Sequence, residues 1–284
     1  MKQTQINYDE KYQKILQQSY VDPQEKIDYP PIAISKGNTG GKNPIPLPIG
    51  TYGNFSFISA APKSKKTFLV SLLAAAYLSC DKKYTADMIG MRKKKKLIHY
   101  DTEQGRFHAQ RTFNRVIRMC ENTDDYYTYA LREYSAFERL EFINWHLYNV
   151  SNPGLVIIDG IADLILDSND LVQSNKLIQY LMKWTQDLNI HIITVIHSNF
   201  NSDKATGHLG SFMEKKTETQ ISLELSPDDR DLAVVKCRRS RGYPFDNFAF
   251  RIESDGLPYI QDFIPNTINK EPFVNLRYLL LNLT

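Results

Sequence analysis

Cysteine is scarce in these 284 residues. Cys80, Cys120 and Cys237 lie far apart in the chain, and no CxxC pair occurs. That spacing argues against a zinc site and a disulfide scaffold, and it fits a reducing cytosol. Long apolar runs are missing too. The longest nearly apolar stretch, Phe68 to Cys80, falls short of the ~20 residues needed to span a bilayer. The opening "MKQTQINYDEKYQK" has no apolar segment of the signal-peptide kind. A soluble cytoplasmic protein that does not engage membranes is expected. Charge of one sign is also lacking, since the net charge is only +3. Nucleic-acid binding therefore has to rest on local patches. No internal repeat is visible, and no zinc-finger, OB-fold or helix-turn-helix signature occurs.

What is present is an alternation of short β runs and longer helical ones. The composition, 42% hydrophobic and 24% charged, suits one large α/β domain with appendages or two small domains. "NFSFIS" precedes a helix from Lys66 to about Leu78, and "KLIHYD" precedes one from about Gln104 to Cys120. "YTYAL" leads into "SAFERLEFINWHLYNV", where Ser135 and Glu138 form an S-x-x-E capping box. "GLVIID" precedes "DLVQSNKLIQYLMKWTQDLN", and "HIITVI" follows. Continuous β-branched runs between helices imply a mostly parallel sheet buried on both faces. "TQISLEL", "LAVVKCR" and "NFAFRI", joined by turns, read as antiparallel strands added at the C-terminal edge. The expected division is an N-terminal arm or linker over 1–45, a core over 46–260, and a tail over 261–284. Within the arm, Tyr12, Ile15, Leu16 and Tyr20 fall at roughly helical spacing, while "DYPPIAISKGNTGGKNPIPLPIG" reads as loop or extended arm. The tail is apolar enough to dock, or to continue into a longer protein.

Four groups stand where strands end, which is where ligands sit in parallel α/β sheets. The first is the loop Ala60-Ala61-Pro62-Lys63-Ser64-Lys65-Lys66-Thr67-Phe68. It has the rhythm of GxxxxGK[ST], a phosphate-cradling turn running into a helix whose free N–H groups attract an anion. Ala60 and Lys65 occupy the glycine positions. Lys66 would reach the outer phosphates, and Thr67 would offer its hydroxyl to Mg²⁺. Asp159, closing "LVIID", suits a water-mediated Mg²⁺ ligand. Glu103, just past "LIHYD", is placed to polarise an attacking water, although Asp101 or Thr102 could equally cap the next helix with Glu103 favouring its dipole. His197, closing "HIITVIH", could sense a terminal phosphate and pass the change into "SNFNSDKATGHLGS". The basic run "MRKKKK" (91–96) is either a solvated loop or a phosphate-backbone contact.

Taken in order, "APKSKKT", "IHYDTEQ", "LVIIDGIADLILDSND", "ITVIHSN" and "TGHLGS" resemble the RecA-like ATPase core, most closely the RepA-type hexameric replicative helicases of plasmids and mobile elements. The resemblance covers about residues 46–252. It implies ATP and Mg²⁺ at the subunit interfaces of a six-membered or similar ring, with single-stranded DNA in the channel. It further implies that Glu103 activates water, that His197 senses phosphate, and that Lys236 and Arg238 of "VVKCRRSRG" reach the neighbouring subunit's γ-phosphate. Lys204 and His208 would face DNA, and replication or mobilisation proteins are conceivable partners. The missing glycines keep open a second reading, a nucleotide-binding scaffold or DNA-binding module that hydrolyses slowly or not at all.

Overall fold

The structure is a computed structural model that describes residues 8–198, 205–227 and 229–261. The chain divides into two compact units, Met1–Pro30 and Pro31–Thr284. In the first, helix α1 (Tyr8–Ser19) carries Tyr12, Ile15 and Leu16 along one stripe, with Asp9 and Glu10 in the first turn, where they favour the helix dipole.

The second unit opens with a surprise. The stretch expected as loop or extended arm forms β1 (Ile32–Asn38) and β2 (Pro46–Thr51), paired antiparallel, and β1 also pairs with β4 (Met88–Gly90). The physical cause lies downstream. Between β3 (Phe55–Ala60) and β4 come α2 (Lys66–Tyr77) and the short α3 (Lys82–Thr85). Helix α2 is apolar around its whole circumference, and such a helix has to be covered on every side. The large sheet covers one side, and Ala33, Ile34, Leu47 and Ile49 of the small sheet join the same core cluster as Leu69, Leu73 and Ala76.

The remaining elements alternate as expected: β5 (Lys96–Asp101), α4 (Arg106–Met119), β6 (Tyr126–Ala130), α5 (Ala136–Asn149), β7 (Pro153–Asp159), α6 (Leu171–Leu188), β8 (His191–His197), α7 (Gly207–Lys216) and β9 (Thr219–Leu225). Three more strands follow, β10 (Leu232–Ser240), β11 (Phe248–Ile252) and β12 (Pro258–Gln261). The capping box at the start of α5 forms in both directions between Ser135 and Glu138. The large sheet runs β12-β11-β10-β9-β3-β8-β7-β5-β6. The pairings from β9 through β3, β8, β7 and β5 to β6 are parallel, and those from β9 out to β12 are antiparallel. The α/β class and the antiparallel C-terminal edge are therefore as the sequence suggested.

Side chains alternate across the parallel strands. Ile58, Leu97, Ile157 and Val195 pack on the α2 side. Phe57, Ile98, Ile158 and Ile192 pack on the other, against Ile143 and Leu147 of α5 and Leu181 and Trp184 of α6. Register then aligns the strand ends. Ala60 pairs with His197, Asp101 with Asp159, and Asp159 with Val195. One rim of the sheet thus collects the polar residues that end each apolar run.

Candidate nucleotide site

The loop after β3 keeps a glycine's backbone without the glycine. Lys65 sits at φ +70° and Lys63 at φ +62°, both in the left-handed region that L-residues seldom enter. No side chain caps α2, so its first N–H groups face the loop. The Lys65 stem swings aside: its Nζ lies 3.1 Å from Asp231 Oδ1 and 5.9 Å from the centre of the Phe68 ring. Ser64 is buried and donates from Oγ to the Ala61 carbonyl at 2.6 Å. Ala61, Pro62 and Lys63 are exposed, whereas Thr67 and Phe68 are half-buried. Phe68 also carries the Arg115 guanidinium, 3.8 Å from the ring centre, whose Nη1 donates to the Thr67 carbonyl at 3.2 Å. Burial pushes Arg115 down to about 10.

Lys66, Glu103, Asp159 and His197 meet on this rim. The buried Lys66 ammonium donates to the Ala61 carbonyl and to His197 Nδ1, each at 3.1 Å. Because lysine can only donate, Nδ1 accepts and the imidazole carries its hydrogen on Nε2. That nitrogen lies 3.4 Å from Glu103 Oε1. The contact with His197 is the main reason the Glu103 carboxyl lies below the usual range, with the charge of Lys66 adding to it. Burial pulls Lys66 down, while Glu103 and Asp159 oppose it. Asp159 is buried and pushed well up, first by desolvation and then by Asp101 and Glu103. Its Oδ2 has no hydrogen-bond partner.

A second strand-ending carboxylate, Asp101, was considered in the sequence only as a cap. It accepts from the N–H groups of Glu103 (3.1 Å) and Gln104 (2.8 Å) and from Gln104 Nε2 (2.9 Å), and burial pushes it up to about 6. The Thr102 hydroxyl lies within reach of the Gly160 carbonyl (2.8 Å) and of Asp163 Oδ2 (3.0 Å). Gly160, at φ +103°, leaves the space into which Thr102 and Glu103 fit. The signal for Asp101 was available, because "LIHYD" ends as "LVIID" does. Nothing local in the sequence marks Asp163 or Gly160.

The other expected residues lie elsewhere. Lys236 and Arg238 sit within β10 and both bond Glu224 of β9, at 2.7 and 2.8 Å. Arg238 Nε also donates to Ser222 Oγ at 2.8 Å. His208 is exposed at the start of α7. Lys204 lies outside the described residues, as does the tail beyond Gln261. The segment flanking Lys204 is anchored at His197: Ser198 bridges Ala205, and the Thr206 hydroxyl donates to the His197 carbonyl at 2.9 Å. The basic run is largely structural and stands at the far end of β5. Arg92 pairs with Asp125 at 2.6 Å, Lys95 bonds the Asn189 carbonyl, and Lys96 bonds Ser151 Oγ, both at 2.8 Å. A cavity of about 590 Å³, walled by Tyr129, Phe142, Arg132 and Gln104, opens at the β6 edge, and Lys66 does not line it.

The amino acids that build this rim also fit a family model. Residues 49–203, more than half the chain, match the family described as AAA domain. The chain belongs to the AAA domain family. The matched segment of the AAA domain contains Lys66, Glu103, Asp159 and His197 and ends before His208, Lys236 and Arg238. No curated protein sequence matches the chain. Among solved structures, the crystal structure of the RadB recombinase is similar at 18% identity and a TM-score of 0.51, covering 75% of this chain and 92% of that one. At that identity the likeness is one of fold, and the fold of this AAA domain is RecA-like.

The chemistry of the rim suits Mg²⁺. Among the described residues no three His, Cys, Asp or Glu side chains gather into a self-sufficient metal site. Mg²⁺ needs no such cage, since it is usually held by one or two protein oxygens, water and phosphate. Asp159, buried with an unpartnered oxygen, and the Thr67 hydroxyl are the groups that fit. Among the described residues no helix is long and apolar enough to cross a membrane.

Proposed function

We propose that this AAA domain is an ATP-dependent motor of the RepA-type helicase kind that acts on single-stranded DNA in the replication or transfer of a plasmid or mobile element. The series Lys66–His197–Glu103, hydrogen-bonded at the lysine and 3.4 Å apart at the carboxylate, next to the unpartnered oxygen of Asp159, carries the reading. Lys66 and the free N–H groups of α2 neutralise the outer phosphates. Glu103, kept ionised by His197, orients a water for in-line attack and accepts its proton. Mg²⁺, which Thr67 and Asp159 would hold, would supply neutralisation of phosphate charge. His197 passes the change at the phosphate to the segment anchored on its carbonyl, where Lys204 and His208 are the proposed DNA contacts. Lys236 and Arg238 complete the site of a neighbouring copy in a ring after exchanging Glu224 for phosphate.

The test is ATP hydrolysis by the full chain with and without single-stranded DNA, beside Lys66→Ala and Glu103→Gln. Hydrolysis stimulated by DNA, and lowered by about 100-fold or more in both variants, is the expected result. The second reading, a nucleotide-binding module with little turnover, is favoured by Lys65 and its bond to Asp231. Tight nucleotide binding without hydrolysis in the parent chain would replace the motor with that module.

A further inference from the structure

The cysteines that look unrelated in the sequence include two that the fold brings together. Cys80 lies just past the end of α2. Ser79 takes φ +61°, its N–H bonds the Ala76 carbonyl, and the Cys80 N–H reaches back to the Ala75 carbonyl, both at 3.1 Å. These crossed bonds form a Schellman ending, which folds Cys80 over the last helical turn. Cys120 ends the neighbouring helix α4, and its Sγ approaches the same Ala75 carbonyl at 4.0 Å. Both residues thus converge on the Ala75 carbonyl, Cys80 through its N–H and Cys120 through its Sγ. Each thiol is the leading influence on the other, lowering Cys80 and raising Cys120. Both residues are partly exposed, so a small reagent can reach them. Cys237 differs: it is buried, and burial pushes its thiol up to about 11. None of the three belongs to the nucleotide site.

We propose that Cys80 and Cys120 are a reactive pair that closes to an intramolecular disulfide on exposure to a small-molecule disulfide, with Cys80 attacking and Cys120 resolving. The Cys80 thiolate attacks one sulfur of the reagent, forming a mixed disulfide and expelling one thiolate. Cys120 gives its proton to solvent and attacks the Cys80 sulfur, expelling the second thiolate. The protein loses two hydrogens and two electrons, and the reagent becomes two thiols. The product joins the C-terminal ends of α2 and α4. Those helices begin at Lys66 and just after Glu103, so the modification lies at their far ends.

The experiment uses the full chain, reduced and then incubated with oxidised glutathione, followed by thiol counting, intact mass and peptide mapping. The expected result is a fall from three thiols to one, a mass lower by two hydrogens with no adduct, and a Cys80–Cys120 peptide released by dithiothreitol. Cys120→Ser should stop with glutathione held on Cys80, and Cys80→Ser should react at least about tenfold more slowly. Three surviving thiols, a lasting adduct on the parent chain, a bridge between two copies, or equal rates in parent and Cys80→Ser would overturn the proposal. The parent measurement stands by itself should either serine variant fold poorly.

Discussion

Lys65 separates two things that glycine usually supplies together, backbone freedom and absence of a side chain. The loop keeps the left-handed backbone and turns the side chain out to Asp231. Replacing Lys65 by glycine or alanine removes the ion pair in both cases, but only glycine relieves the backbone. Lys65→Gly should therefore be more stable than Lys65→Ala by about 1 kcal/mol in urea denaturation. Asp101 gives a second test. Its folded pKa of about 6 lies above the ordinary 3.8. Between those values the unfolded chain has released the proton while the folded one keeps it, so this group's contribution to stability falls as pH rises from about 4 to 6. The loss is roughly 3 kcal/mol at 1.36 kcal/mol per unit. Asp101→Asn should lack that slope when unfolding is followed across the same range. Residues that end an apolar strand were legible because a carboxylate or lysine there breaks the local pattern. Asp101 is less legible, because a helix cap explains it equally well.

Among elements, the turn after Asp159 leaves no room for an added side chain. A Cβ on Gly160 would stand 2.4 Å from Thr102 Oγ1 and 2.6 Å from the Glu103 Cγ, on a backbone at φ +103°. Gly160→Ala should cost about 1–3 kcal/mol in stability and displace Glu103, so hydrolysis should fall together with the unfolding midpoint. Ser135→Ala should lose about 1 kcal/mol through its capping box, read by thermal unfolding, and leave nucleotide binding unchanged. The capping box was readable because its two residues are three apart. The β1–β2 hairpin was not, because its strands exist to cover α2, and that demand is visible only when the helix's circumference is compared with the surfaces available to bury it. Proline and glycine in the segment described its turns correctly and concealed its strands.

For the whole molecule, strand order matters more than strand content. β3 lies centrally, with the carboxylate-bearing strands on one side and the antiparallel extension on the other. In the ring proposed above, Lys66 and Arg238 would meet from different copies. On the proposed motor, a mixture of Lys66→Ala with Arg238→Ala should recover ATP hydrolysis that neither variant shows alone, while unchanged rates would place each site within a single copy. The sequence conveyed the order of elements along the chain but could not show that Glu224 already pairs with Lys236 and Arg238 of β10, a pairing made across strands by register. Beyond Glu224, the extension reaches the phosphate loop through Asp231, which precedes β10 and holds Lys65. Asp231 is largely exposed, and such ion pairs yield for about 0–1 kcal/mol. The outer strands thus have a fuse rather than a weld to the loop: small displacements drag its backbone, and larger ones simply snap the connection.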